Sequence, residues 1–415
     1  MFKNILEEKL RILVIDEWLP SVCNSGKSIR SFELLAPFAR RHSITYAVNQ
    51  LGEIQHEHLQ KMQDAGFNVI CVPRPLHYGS VPAILFGAIP ALFDPLPISV
   101  RRHTSKKFAD TIKQLLANNK FDIVHIEWSN YAVYLEIIRN IPTFACTHNV
   151  EYLSWKRFFD TTKNPVKKLL GLHEWKKMYR FEKNIYPKLD YISTVSEEDA
   201  QIVRSEFGME RVCVIPNGVA ISYYDKIKNT PQPAKIVYCG SMDAFINQDA
   251  VVYFLREIFP LILAANPAVK FQVIGRNPPN WILKFGSDNV SFTGSVNDVR
   301  AQLKEAALEV VPLRIAGGSR LKILEAFAAR LPVLSTTIGA EGLNIKPHEN
   351  IEIADTPKDF AAKCIELLEN QALRDKLIAN ARQTVEEQYD WSRIFPLVES
   401  AWNQAIAFHR EQHGE

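Results

Sequence analysis

One stretch constrains the fold of this chain more than any other: residues 308–343, LEVVPLRIAGGSRLKILEAFAARLPVLSTTIGAEGL. The apolar run Leu308–Val311 predicts a buried strand that ends at Pro312, and Gly317-Gly318 predicts a turn. A helix then starts near Ser319 and runs to about Arg330. Pro332 stops it, and Val333–Ser335 reads as the next buried strand. Strand, glycine turn and helix start together make an anion pocket, because the first backbone N–H groups of a helix lack partners and its dipole favours negative charge there. Gly318, Lys322 and Glu325 are spaced i, i+4, i+7 and share one helix stripe, while Leu321, Leu324 and Ala328 form another that faces the core. The first stripe can hold a phosphate at the helix start and a sugar hydroxyl one turn on. An ordinary α/β turn, with glycines for packing and Lys322 and Glu325 as an i, i+3 ion pair, fits the same spacing.

The rest of the chain repeats this alternation. Short strands are predicted at Leu10–Ile15, Ile44–Val48, Asn68–Val72, Ile123–Ile126, Thr143–Cys146, Tyr191–Val195 and Val212–Ile215, with helical patterns between them. A long basic, aromatic helical segment follows Asn149 and reaches about Pro187. A polar, proline-containing connector spans Ser222–Ala234. Strands at Lys235–Cys239, Lys270–Ile274 and Val290–Phe292 and a helix at about Asn247–Ala265 then restart the pattern, and Trp391–His409 reads as a terminal helix. Strand–helix alternation in both halves predicts two doubly wound parallel sheets, with ligands at strand C-termini and a pocket in a central cleft that the two domains face. The expected boundaries are 1–220, 221–390 and, for a C-terminal helix packing back on the first domain, 391–415.

Composition narrows the class. Across 415 residues, 47% hydrophobic and 23% charged, a net charge of +3 is too small to argue for nucleic acid. Positive charge is local: Lys156–Lys188 carries ten basic residues against Asp160, Glu174 and Glu182. Interleaved with Trp155, Phe158, Phe159, Leu169, Leu170 and Trp175, it suits an anionic membrane surface, although a helix covering its own domain has the same pattern. Six scattered cysteines show no metal-type spacing and fit a reducing compartment. The N-terminal MFKNILEEKLR lacks the apolar core of a signal peptide, and the greasiest run, Val81–Val100, is broken by four prolines. A cytoplasmic chain, peripheral on the inner face of the membrane, is the expectation. The text SGKS at Ser25–Ser28 is no Walker loop, because Ser21 stands where glycine is required. Lys27 and Arg30 after it either line the ligand side or are solvated.

Five segments, in this order, carry a resemblance: THNVE (Thr147–Glu151), STVSEEDA (Ser193–Ala200), VIPNGV (Val214–Val219), GSMDAFINQDA (Gly240–Ala250) and SRLKILEAFAARLPVLSTTIGAEGL. Along nearly its whole length the chain resembles a GT-B glycosyltransferase of family 4. The resemblance implies two Rossmann-like domains and retaining transfer from a nucleotide-sugar donor, a UDP- or GDP-sugar, to a glycan or lipid-linked acceptor. No metal and no cofactor are implied, and the absence of any Asp-x-Asp agrees. It assigns catalytic roles to His148, Glu325 (the ribose clamp), Lys322 and Arg320, and substrate contacts to Gly26, Asn149, Asn217, Gly240, Gly317, Gly318, Ser319 and Leu321. Two departures stand out. The first glutamate of the family's E-x7-E pattern is replaced by Gly317, and no cation lies between Ser241 and Asp249. Arg320 and Lys322, with Arg314 third, are the expected replacements on the diphosphate. Two alternatives stay open: a nucleotide-sugar epimerase of the same fold, and a non-catalytic nucleotide-sugar-binding protein.

Overall fold

The computed structural model describes residues 9–20, 26–52, 54, 56–74, 94–226, 228–315 and 321–414. Gly317, Gly318, Ser319 and Arg320, Cys23 and most of the Val81–Val100 run lie outside the described residues. The chain forms two compact units, one of residues up to Ile215 together with Phe395 onward, the other Pro216–Ile394.

In the first unit the strands are β1 (Arg11–Asp16), β2 (Ser43–Leu51), β3 (Asn68–Arg74), β4 (Ile123–Ile126), β5 (Thr143–Cys146), β6 (Tyr191–Thr194) and β7 (Val212–Val214). They pair in parallel in the order β3-β2-β1-β4-β5-β6-β7. In the second unit β8 (Lys235–Cys239), β9 (Lys270–Ile274), β10 (Val290–Phe292), β11 (Leu308–Val311), β12 (Val333–Ser335) and β13 (Glu352–Ile353) pair in the order β10-β9-β8-β11-β12-β13. The central strands, such as β4, β5, β8 and β11, are short runs buried at every position, which is why no polar alternation marks them, while the edge strands β3 and β10 are only partly covered. Ile12–Ile15 of β1 and Ile236–Tyr238 of β8 are completely buried. In each sheet the order reverses beside the first strand of its unit, between β1 and β4 and between β8 and β11. At such a reversal the loops leaving the strand C-termini diverge and open a crevice. Asp16 ends β1, Glu127 follows β4 and His148 follows β5; Gly240 follows β8, and Pro312 follows β11.

The helices used below are α1 (Gly26–Ala39), α2 (Glu151–Thr161), α3 (Pro165–Ile185), α4 (Phe245–Tyr253), α5 (Leu321–Ala328) and α6 (Trp391–His413). The basic segment is not one helix. Asn164 caps α3, accepting from the Val166 and Lys167 backbone N–H groups, and Pro165 takes the first helical position. The helix expected over 247–265 is interrupted by a π-type turn at Phe254–Ile258, just ahead of Pro260, which has no N–H to continue the ladder. The second half of α6 packs in the first unit, where Trp402 is fully buried with its ring centroid 5.0 Å from Phe38 and 5.8 Å from His125. No helix among the described residues is long and apolar enough to cross a membrane.

Gly218 is a glycine for reasons of space. A Cβ there would lie 2.4 Å from the Trp391 ring and 2.8 Å from Ile394.

Candidate active site

In the second unit the site grows from β8, α4 and α5. α5 carries Lys322 and Glu325 on one stripe, as their spacing requires, while Ile323, Leu324, Phe327 and Ala328 are buried. Leu321, which the helix periodicity assigned to the core and the resemblance to substrate, is half-buried at the first turn. Lys322 Nζ sits 3.9 Å from the Tyr238 ring centroid and donates to Asn247 Oδ1 at 3.3 Å. Tyr238 OH donates to the same oxygen at 2.6 Å, and Asn247 Nδ2 donates to Ser241 O at 2.8 Å. Strand end, loop and helix are thereby tied around one ammonium. Gly240 leaves room for the ammonium: a Cβ would lie 2.9 Å from Lys322 Nζ and 3.0 Å from the Asn247 amide, so it would displace one of them. Glu325 Oε1 accepts from Tyr224 OH at 3.1 Å, and burial raises its carboxyl above the ordinary glutamate range. Tyr224 comes from the stretch read as a polar linker; it is in fact buried and holds the proposed ribose clamp.

Two cations stand differently from expectation. Arg314 is held in a bidentate pair with Asp249, at 2.6 and 3.1 Å, and stacks over Tyr253. Arg276, at the end of β9, reaches the Gly240 loop instead, with Nε 3.2 Å from Ser241 Oγ and 2.9 Å from Asp243 Oδ2. Reading along one loop missed it, because it arrives from the neighbouring strand; the signal was the Ile274-Gly275-Arg276 run closing a strand.

Glu309, inside the apolar text of β11, was also missed. It is completely buried, and neither carboxyl oxygen makes a well-formed hydrogen bond among the described residues. Burial raises it to about 8, opposed by Lys322 and reinforced by Glu325. The folded state therefore keeps a proton on Glu309 between its unfolded value near 4.5 and about 8, and the stability this confers is lost as pH rises through that window. Glu309→Gln, which mimics the protonated acid, is expected to melt higher than the parent at pH 8.5, with the gap closing toward pH 5. Denaturant titrations at both pH values measure this. A constant gap means that the carboxyl is ionised in the fold.

In the first unit the candidates line the reversal beside β1. His148 Nε2 lies 2.8 Å from the Glu127 carbonyl, so that nitrogen donates and Nδ1 is left as an acceptor. Burial lowers His148 to about 4, which keeps the ring neutral at pH 7. The Glu127 carboxylate is buried, accepts from Ser31 Oγ at 2.7 Å and lies 2.8 Å from His125 Nε2. Burial opposes its charge, but His125, His148 and Arg30 outweigh that and hold it ionised, at about 2. Trp402 Nε1 donates to His125 Nδ1 at 3.2 Å. An indole nitrogen only donates, so His125 carries its proton on Nε2, toward Glu127. His125, Glu127 and Cys146 gather three ligand atoms within 4.8 Å, with His125 Nε2 3.3 Å from Cys146 Sγ and 2.8 Å from the Glu127 carboxylate, a buried polar cluster behind the carbonyl that positions His148.

Lys27 and Arg30 are not solvated. Lys27 bridges Asp16 at 2.6 Å and Glu17 at 3.0 Å, and Arg30 is buried with Nη2 donating to Ile215 O at 2.8 Å. Burial and the neighbouring carboxylates raise Asp16 to about 6 despite Lys27, while Tyr46 OH donates to it at 2.8 Å. Gly26 starts α1 and is exposed, and Asn217 is buried in the second unit. Asn149 Nδ2 and Trp128 Nε1 both donate to Glu151 Oε1, at 3.3 and 3.1 Å. The N-terminus of α2 is met not by its own Glu151 but by Glu182 of α3, which accepts from the Glu151 and Tyr152 N–H groups at 2.8 and 3.1 Å.

Known families match both units. Residues 56–223 match a family described as Glycosyltransferase Family 4, and residues 233–370 one described as Glycosyl transferases group 1. Over 406 residues the chain is 22% identical to an uncharacterized 44.6 kDa protein in the cps region of Klebsiella pneumoniae, covering 93% of this chain and 98% of that one. Sucrose-phosphate synthase from Thermosynechococcus elongatus superposes with a TM-score of 0.71 at 16% identity, over 96% of this chain and 100% of that one. Anabaena HepE in complex with UDP-glucose gives a TM-score of 0.68 at 12% identity, over 95% and 99%. Two doubly wound parallel sheets with these family matches define a glycosyltransferase of the GT-B type. Within that class the chain resembles family 4.

Proposed function

We propose that this glycosyltransferase is retaining and metal-independent, and transfers a sugar from a UDP- or GDP-sugar to a glycan or lipid-linked acceptor. The observation that carries the reading is the Lys322 ammonium held against Gly240 by Tyr238 and Asn247, one turn before Glu325 on α5. In this reading Lys322 meets the donor diphosphate, with Arg276 as the second cation, and Glu325 accepts the ribose hydroxyls. His148 Nδ1 accepts a hydroxyl of the reacting sugar. The negative charge that develops on the leaving diphosphate is what Lys322 and Arg276 stabilise, and the acceptor attacks the same face assisted by the departing phosphate. The uridine nucleotide in the HepE complex supports a UDP-sugar, and the cps-region relative supports a surface-polysaccharide setting. A lipid-linked acceptor brings the chain to the membrane surface.

Thermal unfolding with a panel of nucleotide-sugars tests the donor assignment. A donor at about a hundred times its dissociation constant adds about 2.7 kcal/mol, or roughly 5 °C for a unit of this size. One nucleotide-sugar is expected to give such a shift, and Glu325→Ala to abolish it. A panel without any shift sinks the reading.

A further inference from the structure

The N-terminal two turns of α3 point their apolar stripe outward. Val166, Leu169 and Leu170, at i, i+3 and i+4, are 68%, 67% and 39% exposed. The inward face of the same helix is Gly171, Glu174, Met178 and Phe181, and Gly171 fits so closely that a Cβ would lie 2.9 Å from Phe158. Lys163, Lys167 and Lys168 flank the outward stripe, and no acid occurs between Asp160 and Glu174. The aromatic residues that first suggested a surface role serve another purpose. Trp155 packs on Phe158 at 6.0 Å within α2, and Phe159 packs on Trp175 at 5.9 Å, which joins α2 to α3. What faces solvent is aliphatic and cationic.

We propose that Lys163–Leu170 docks on an anionic bilayer, with Val166, Leu169 and Leu170 entering the acyl boundary and the lysines on lipid phosphates. Aliphatic side chains ringed by cations match that interface in both layers, apolar below and anionic above. A second copy of the chain is a poor occupant, because two such tips would bring their lysines together with no acid between them. Docking here does not depend on the donor assignment; it gives the lipid-linked acceptor reading a place on the molecule.

Flotation of the full chain with phosphatidylcholine vesicles, with and without phosphatidylglycerol, tests this. The wild type is expected to float only with the anionic vesicles and to be released by high salt. Val166→Ser/Leu169→Ser and, separately, Lys163→Gln/Lys167→Gln are expected to lower the bound fraction about tenfold. Both variants should keep the parental melting temperature, since the side chains are exposed. Three results overturn the proposal: no flotation at low salt, wild-type flotation of the serine variant, or a wild-type dimer in sedimentation that the serine variant makes monomeric.

Discussion

Lys322→Ala is expected to lower sugar transfer by about two to three orders of magnitude, the loss typical of removing one preorganised charge from a leaving group. The fold should survive, because Ile323, Leu324, Phe327 and Ala328, not Lys322, anchor α5. Lys322→Met, which keeps most of the stem over Tyr238, separates loss of charge from loss of packing and should be equally inactive. Gly240→Ala approaches the same ammonium from the other side, since its Cβ would lie 2.9 Å from Nζ, and should weaken transfer without removing any charge. Release of nucleoside diphosphate, from whichever donor gives the thermal shift, measures all three. Activity of Lys322→Ala within threefold of the parent would remove Lys322 from the diphosphate and leave Arg276 to carry it.

The second large effect concerns stability. Trp402→Ala should cost about 3–5 kcal/mol, because a fully buried indole packed on Phe38 and His42 leaves a cavity that rigid neighbours cannot fill. For a unit of this length that lowers the melting temperature by roughly 10 °C. Trp402→Phe isolates the hydrogen bond. It keeps most of the ring packing, removes the donor to His125 Nδ1, and should cost about 1–2 kcal/mol. With Nδ1 released, His125 no longer has one imposed tautomer, and the imidazole nitrogen resonances of His125 should report exchange between both forms. Near-parental stability of Trp402→Ala would show that α6 contributes no core to the first unit.

Both sheets were legible from the sequence except for their shortest strand: β1 to β12 are runs bounded by turn chemistry, whereas the two-residue β13, Glu352–Ile353, was not anticipated. The reason Lys322 and Glu325 stand out is also local, a spacing along one helix. What escaped was non-local. Arg276 reaches the Gly240 loop only because β9 lies beside β8, and Tyr224 supports Glu325 across about a hundred residues of chain. Glu309 is disguised by its strand, where one acid among valines and leucines looks like a surface position until both faces prove to be covered. Lys27 and Arg30 were ambiguous for the converse reason: basic residues on a helix are usually solvated, and only the placement of Asp16, Glu17 and Ile215 reveals their partners. The Asn164-Pro165 break could have been read directly, because that pair is a helix start in its own right.

The path of the chain also sets an order of assembly. The second unit is one uninterrupted stretch, Pro216–Ile394, so all of its parts have been made before the remainder of the last helix, from Phe395 on, emerges. The first unit waits. Its seven strands are synthesised early, yet the indole that fills the space beside Phe38 and fixes the His125 tautomer is encoded only after the whole of the second unit. A nascent chain therefore carries an open, unfinished early unit while a later one already closes, and folding of the part translated first is completed last.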